Sequence, residues 1–229
     1  MDKKQIYSQK QIVEKYDHWR FGGRSGKFVN LKELSIIEEL LKGVRGRILD
    51  IPCGTGRLAK YLLIKNPNID IVGADYSLEM LNLAKDAGYK NVVRADAFNL
   101  SFKQGFFDCI VSLRFIFHYK NIYPLFQEAA KVLKKDGVLI FDTYKWSPYQ
   151  ILGVFFKKYK DKVFIHSRED IKSILEKSNF KLITIKHCFL FSPLIYRFLP
   201  ISLIAVLDKL EKIFPQQLLV KSFYKVKKM

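Results

Sequence analysis

The sequence predicts an α/β fold, a Rossmann-like doubly wound sheet of seven mostly parallel strands with helices on both faces. Three features carry that expectation: short apolar runs alternate with segments of helical period, the connections between them are short, and a glycine-bearing turn joins the first strand to a helix. With 229 residues, 49% of them hydrophobic and 27% charged, the chain reads as one globular domain over 1–229.

Taken in order, Leu31, Leu34, Ile37 and Leu41 repeat at helical spacing, and Gly43 ends that helix. Arg47 to Ile51 is the first strand, followed after the turn by a helix through Leu58, Ala59, Leu62 and Leu63. Ile69 to Ala74 reads as the second strand, and Ser77 caps a helix through Met80, Leu81, Leu83 and Ala84 to Gly88. Strands are expected at Asn91–Ala95, Phe107–Ser112 and Val138–Thr143, with a helix through Leu125 to Leu133 before the last of these. A helix capped by Ser167, a strand at Phe180–Cys188, an amphipathic helix after Pro200 and a strand near Leu219–Val226 complete the series. In the amphipathic helix Leu203, Ile204, Leu207, Leu210, Ile213 and Phe214 share one face, opposite Asp208, Lys209, Glu211 and Lys212. Core packing or a pocket lid is the first reading of that stripe, and peripheral contact with a membrane the second.

Two connections are candidate caps over a site. Residues 144–166 are rich in aromatic side chains (Tyr144, Trp146, Tyr149, Phe155, Phe156, Tyr159, Phe164), and residues 189–215 are apolar. Long connections at the carboxyl edge of such a sheet form lids and substrate walls.

Forty Lys and Arg against 22 Asp and Glu give a formal charge of +18, and residues 143–229 alone carry 17 basic and 6 acidic side chains. A basic half suits an anionic partner or a solvated basic surface. Its lysines are scattered among apolar positions without an aromatic stacking platform, so tight RNA binding is not expected. Cys53, Cys109 and Cys188 lie too far apart for a disulfide scaffold or a zinc site; no metal is expected, and a reducing, cytoplasmic setting fits. The stretch MDKKQIYSQKQIVEKYDHW lacks the apolar segment of a signal peptide, and Pro193, Arg197 and Pro200 interrupt the most apolar run too often for a membrane span.

The turn Asp50-Ile51-Pro52-Cys53-Gly54-Thr55-Gly56-Arg57-Leu58-Ala59 contains G-x-G-x-x-A where a strand enters a helix, so a ligand can approach backbone and the positive helix end. A nicotinamide-dinucleotide fold would share that triplet and an acid about 20 residues later, where Asp75 stands. Asp50 argues against it, since an anionic pyrophosphate would meet an added negative charge whereas a cationic ligand would be favoured. No Tyr-x-x-x-Lys accompanies the turn either. Asp96, after the third strand, adds a third acid, so that Asp50, Asp75 and Asp96 would line one carboxyl edge.

Five segments in order, ILDIPCGTG, VGADYSLEMLNLAK, DAFNLSF, FDCIVS and LKKDGVLIFDTY, resemble the class I S-adenosylmethionine-dependent methyltransferases, in particular the small-molecule group that includes the quinone-ring methyltransferases. The resemblance covers roughly residues 11 to 143 well and the remainder loosely. It implies that the backbone of Ile51, Pro52, Cys53, Gly54, Thr55 and Gly56 wraps the methionine part of the cofactor, with Asp50 holding the loop or reaching its ammonium. Asp75 would accept the ribose hydroxyls, Tyr76 and Met80 would pack on adenine or ribose, and Asp96 would accept the adenine amino group beside Ala97 or Phe98. Ser112 and Leu113 would lie beneath the methyl-bearing sulfur, while Tyr16 and Arg20 would close over the cofactor and pair with its carboxylate. Pro52 departs from the family, which has glycine there; proline fixes φ and removes an N–H.

The activity implied is transfer of a methyl group from S-adenosylmethionine to an oxygen, nitrogen or carbon nucleophile of a small acceptor, with His118 or Asp142 as general base where one is needed. The apolar cap segments favour a lipophilic acceptor. Two alternatives stand beside it: an RNA methyltransferase, suggested by the basic excess but lacking an NPPY-like tetrapeptide after FDCIVS, and a non-catalytic cofactor-binding or membrane-associated accessory protein, to which Pro52 alone points. No motif addresses oligomeric state.

Overall fold

The computed structural model describes residues 9–156 and 163–229. Helices α1 (Lys10–Phe21) and α2 (Gly23–Leu41) meet at Gly22 and precede the sheet. There follow β1 (Ile48–Asp50), α3 (Arg57–Lys65), β2 (Ile71–Asp75), α4 (Leu78–Asp86), β3 (Asn91–Arg94) and β4 (Phe107–Ser112). A 3-10 turn, Ile116–His118, leads into α5 (Tyr123–Val132) and β5 (Leu133–Tyr144). The remainder is α6 (Pro148–Phe155), α7 (Arg168–Lys177), β6 (Phe180–Cys188), α8 (Pro193–Tyr196), α9 (Ile201–Ile213) and β7 (Lys221–Lys228).

The seven strands form one sheet in the order β3-β2-β1-β4-β5-β7-β6, with β7 antiparallel to both neighbours and every other pair parallel. From β1 the chain winds outward to β3 and then returns to the other side of β1 as β4. The loops after β1 and β4 therefore part company at the carboxyl edge, where doubly wound sheets open their ligand crevice. Antiparallel β7 brings its first residue to that same edge, Lys221 standing opposite Tyr144 at the end of β5.

Strand side chains alternate between two cores. Ile48, Ile71, Val111, Ile140 and Phe223 face α2, α3, α4 and α9, while Leu49, Val72, Ile110, Phe141 and Tyr224 face α5 and α7. Burial on both faces explains why the central strands read as apolar runs rather than as alternating patterns.

Several boundaries differ from the sequence reading. β2 extends to include Asp75, β5 starts at Leu133 where the helix was expected to continue, and β7 starts at Lys221 rather than Leu219. Leu31, expected on the buried face of α2, is exposed; the buried seam is Val29, Glu33, Leu34, Ile37, Leu40 and Leu41. The apolar stripe of α9 is also corrected. Ile204 and Leu207 are buried, but Leu203, Leu210, Ile213 and Phe214 are exposed. Ile204 and Leu207 pack in the core, and on the same side Lys32 of α2 pairs with Asp208 and, at 2.9 Å, with Glu211, which also accepts from the Phe189 N–H. The seam of α9 against α2 runs through 204, 207, 208 and 211. Among the described residues no helix is long and apolar enough to cross a membrane.

Candidate active site

The loop after β1 is fastened to both neighbouring strands: Ile51 N–H donates to Val111 at 2.9 Å and Cys53 N–H to Ala74 at 2.8 Å. Asp75 then clamps it from the side. One carboxylate oxygen accepts from Gly54 N–H and the other from Ser77 N–H, each at 2.9 Å, tying the loop to the first turn of α4. Burial raises the Asp75 pKa, opposed by those backbone donors. Beneath the loop Asp50 accepts a hydrogen bond from the Tyr89 hydroxyl, and burial pushes its carboxyl up to about 7. Asp96 accepts from Phe98 N–H at 3.0 Å.

These groups line a narrow cavity of about 120 Å³ between the diverging loops. Asp50, Ile51, Pro52, Cys53, Gly54, Thr55, Asp75, Tyr76, Met80, Asp96, Ala97 and Leu113 all border it, closed from above by Tyr16 of α1 and by His118. The Ile51–Pro52 peptide bond is cis.

Five expected site residues lie elsewhere. Gly56 sits behind the loop against α4; Phe98 meets Tyr119 edge-on and Phe115 at a tilt, outside the lining; and the Ser112 side chain is buried below it. Arg20 borders a second cavity and not this one. Asp142, the second candidate base, is 0% exposed: it accepts from Arg114 N–H and pairs with Lys221 at 2.6 Å. A carboxylate sealed in that way borders neither cavity and is not placed to take a proton from an acceptor.

The two loop glycines have different work. Both have positive φ, +54° at Gly54 and +82° at Gly56. A Cβ on Gly56 would meet the Ala87 Cβ at 2.6 Å, whereas a Cβ on Gly54 would meet nothing within 4 Å. Gly56→Ala should therefore lower stability by about 2–4 kcal/mol from strain and overlap. Gly54→Ala should cost only about 1–2 kcal/mol of strain while placing a methyl group in the space left for a ligand. Urea denaturation together with calorimetric titration of S-adenosylhomocysteine separates the two effects.

The second cavity is larger, about 500 Å³, in the range of small-molecule sites. Tyr144, Ser147, Tyr149 and Val163 of the first cap segment border it, as do Ser192, Pro193, Leu194 and Arg197 of the second. Phe156 and Phe191 do not, and α9 borders neither cavity. Residues 157–162, including Tyr159, lie outside the described residues. Tyr16, Arg114 and His118 border both cavities and form the wall between them.

Behind that wall is a charge cluster that sequence reasoning missed. Glu33 of α2 is 0% exposed and reaches Lys221 at 2.6 Å, Arg57 at 3.0 Å and Arg114 at 3.2 Å. Burial alone would raise the Glu33 pKa, but Arg114, Lys221 and Arg57 outweigh it and hold the carboxyl well below its usual range. Burial likewise opposes the charge on Lys221, and Asp142 and Glu33 overcome it, raising that pKa. The cluster fixes α2, the start of α3, the end of β4 and the start of β7 to one another. The available signal was a lone acid on the apolar seam of α2.

The fold and the loop define a Rossmann-like methyltransferase domain. Residues 49–141 match the methyltransferase-domain family. The uncharacterised protein MJ1123 of Methanocaldococcus jannaschii is 30% identical over 171 residues, covering 72% of this chain and 78% of the relative. The demethylmenaquinone methyltransferase of Thermotoga maritima is 31% identical over 109 residues, 46% of each chain. The chain spans about half the length of several curated relatives it matches. Among solved structures, an S-adenosylmethionine-dependent methyltransferase of Thermotoga maritima superposes over 98% of this chain and 99% of its own with a TM-score of 0.70 at 21% identity, a likeness of fold. The chain belongs to the class I S-adenosylmethionine-dependent methyltransferases.

Proposed function

We propose that this chain methylates a small acceptor, holding S-adenosylmethionine in the first cavity and the acceptor in the second. The single observation that carries this reading is the shared wall: two cavities at the carboxyl edge, one lined by three strand-end acids, meet at Tyr16, Arg114 and His118.

The residues present fit the cofactor. Open space in front of Gly54 leaves its backbone approachable, and Asp75 and Asp96 offer carboxylate acceptors to hydroxyl and amino groups. When bound, S-adenosylmethionine supplies an electrophilic methyl group. The chain's own contribution is positioning and exclusion of water. Tyr16 roofs the donor side, and His118 stands where an acceptor proton could be taken up, a role worth about 10²–10⁴ in rate where the acceptor needs a base. The aromatic and aliphatic share of the second lining suits a lipophilic body, as does the likeness to a methyltransferase named for demethylmenaquinone.

Calorimetry tests the donor half directly. S-adenosylmethionine should bind and NAD should not; NAD binding, or no binding of S-adenosylmethionine, would overturn the reading.

A further inference from the structure

The charges around the second cavity say what kind of acceptor it takes. Its described lining holds four cationic side chains, Lys15, Arg20, Arg114 and Arg197, and no Asp or Glu. Arg114 is answered by Glu33 at 3.2 Å. Arg20 and Arg197 are not answered: among the described residues neither has a hydrogen bond or ion pair, and Arg20 Nε is buried without an acceptor. Both guanidinium groups lie over the same indole ring, Arg20 at 5.3 Å and Arg197 at 4.5 Å from the Trp19 centroid. The nearby acid Asp17 is occupied with the Thr55 hydroxyl at 2.8 Å on the donor side.

Two like charges on one ring repel each other, and a buried N–H without an acceptor is costly, so the arrangement lacks a counter-charge. Each guanidinium fork matches a phosphate or carboxylate in two-point contact. We propose that the acceptor carries such an anion on an apolar body, and that Arg20 from α1 and Arg197 from the end of α8 hold the anion between them. This rests on the reading of the first cavity as the donor site. Arg20, Arg197 and Trp19 border the second cavity alone, whereas Tyr16 and His118 border both. The anion is thus an anchor held off the dividing wall, and the nucleophile is presented toward His118. Tyr149, Phe117 and Leu194 supply apolar surface for the body between them.

The experiment is a calorimetric comparison of 2-naphthyl phosphate, 2-naphthoate, 2-naphthol and 2-naphthylmethylamine, with and without S-adenosylhomocysteine. The two anions should bind at least about tenfold more tightly than naphthol, and the amine most weakly. Arg197→Gln should remove about threefold or more of that preference, and Arg20→Gln with Arg197→Gln together should abolish it, with S-adenosylhomocysteine affinity within about threefold of wild type. Arg20→Lys, which keeps the charge, controls for folding by its melting temperature and should retain a preference for anions. Equal or tighter binding of naphthol or the amine overturns the proposal, as does an undiminished anion preference in the double variant. Loss of S-adenosylhomocysteine affinity in Arg20→Gln, with naphthyl phosphate binding intact, would assign Arg20 to the cofactor carboxylate instead. Arginine-dependent binding to phosphatidylglycerol vesicles with no binding of naphthyl phosphate would assign the cations to a lipid surface and equally overturn it. Failure of S-adenosylhomocysteine to bind wild type strikes the donor reading separately, because the naphthyl series is also run without it.

Discussion

Glu33→Gln is expected to lower stability by about 3–5 kcal/mol, which for a chain of this size corresponds to a fall in melting temperature of about 6–20 °C. The wild-type carboxylate is the common partner of Arg57, Arg114 and Lys221. Removing its charge leaves Lys221 with Asp142 as its remaining paired acid and takes from Arg114 and Arg57 their paired acid, and the cost is that of buried charges without a counter-charge rather than of lost salt bridges. The sign with pH follows. Glu33 titrates below its ordinary value of 4.5 in the folded chain, so its stabilisation is present above that value and fades as pH falls toward the depressed folded value. The variant should lack that part of the acid dependence. Glu33→Leu combined with Lys221→Met should recover part of the loss, since buried ion pairs are replaceable by apolar groups of similar volume. Thermal and urea unfolding at pH 7 and pH 4 measures all three, and a Glu33→Gln variant as stable as wild type would show that the cluster is not holding the four elements together.

Asp75→Ala is expected to weaken S-adenosylmethionine binding by about 1.5–3 kcal/mol, or about 10- to 150-fold. Two effects act together: the carboxylate that borders the first cavity is lost, and the Gly54 and Ser77 N–H groups lose the acceptor that sets the loop against α4. Asp75→Asn separates them. The amide keeps an acceptor for one of those donors but loses the charge, so it should fold better than the alanine variant and still bind the cofactor weakly. Calorimetric titration of both variants, alongside their unfolding curves, is the check; an unchanged affinity in Asp75→Ala would remove Asp75 from the donor site.

What the sequence made legible is what local pattern determines. Phe107–Ser112 and Phe180–Cys188 are found end for end: both carry aromatic and β-branched residues, and the turn residues Gly105 and Asn179 precede them. The acids at 50, 75 and 96 were visible because strand ends in this fold point to one edge. The loop that meets them was visible through its glycines, of which Gly56 proves to serve packing and Gly54 the open side. What escaped notice depends on pairing across distance. Glu33 and Lys221 are 188 residues apart in sequence, and each in isolation resembles a surface charge. Asp142 looked available at a strand end until antiparallel β7 set Lys221 beside it. For α9, two overlapping stripes compete on one helix, and the one that is buried is the one that also meets Lys32 of the distant α2. Arg20 was expected beside the cofactor from the family resemblance, but of Tyr16 and Arg20 only Tyr16 borders the first cavity.

The central claim is that donor and acceptor occupy adjoining cavities divided by Tyr16, Arg114 and His118. A crystal structure of the chain with S-adenosylhomocysteine tests it most directly. The account predicts the ribose at Asp75, the adenine beside Asp96 and Ala97, the sulfur facing the dividing wall, and the second cavity still open behind it. Density for the nucleoside in the second cavity, or at an edge of the sheet away from Asp75 and Asp96, would contradict it.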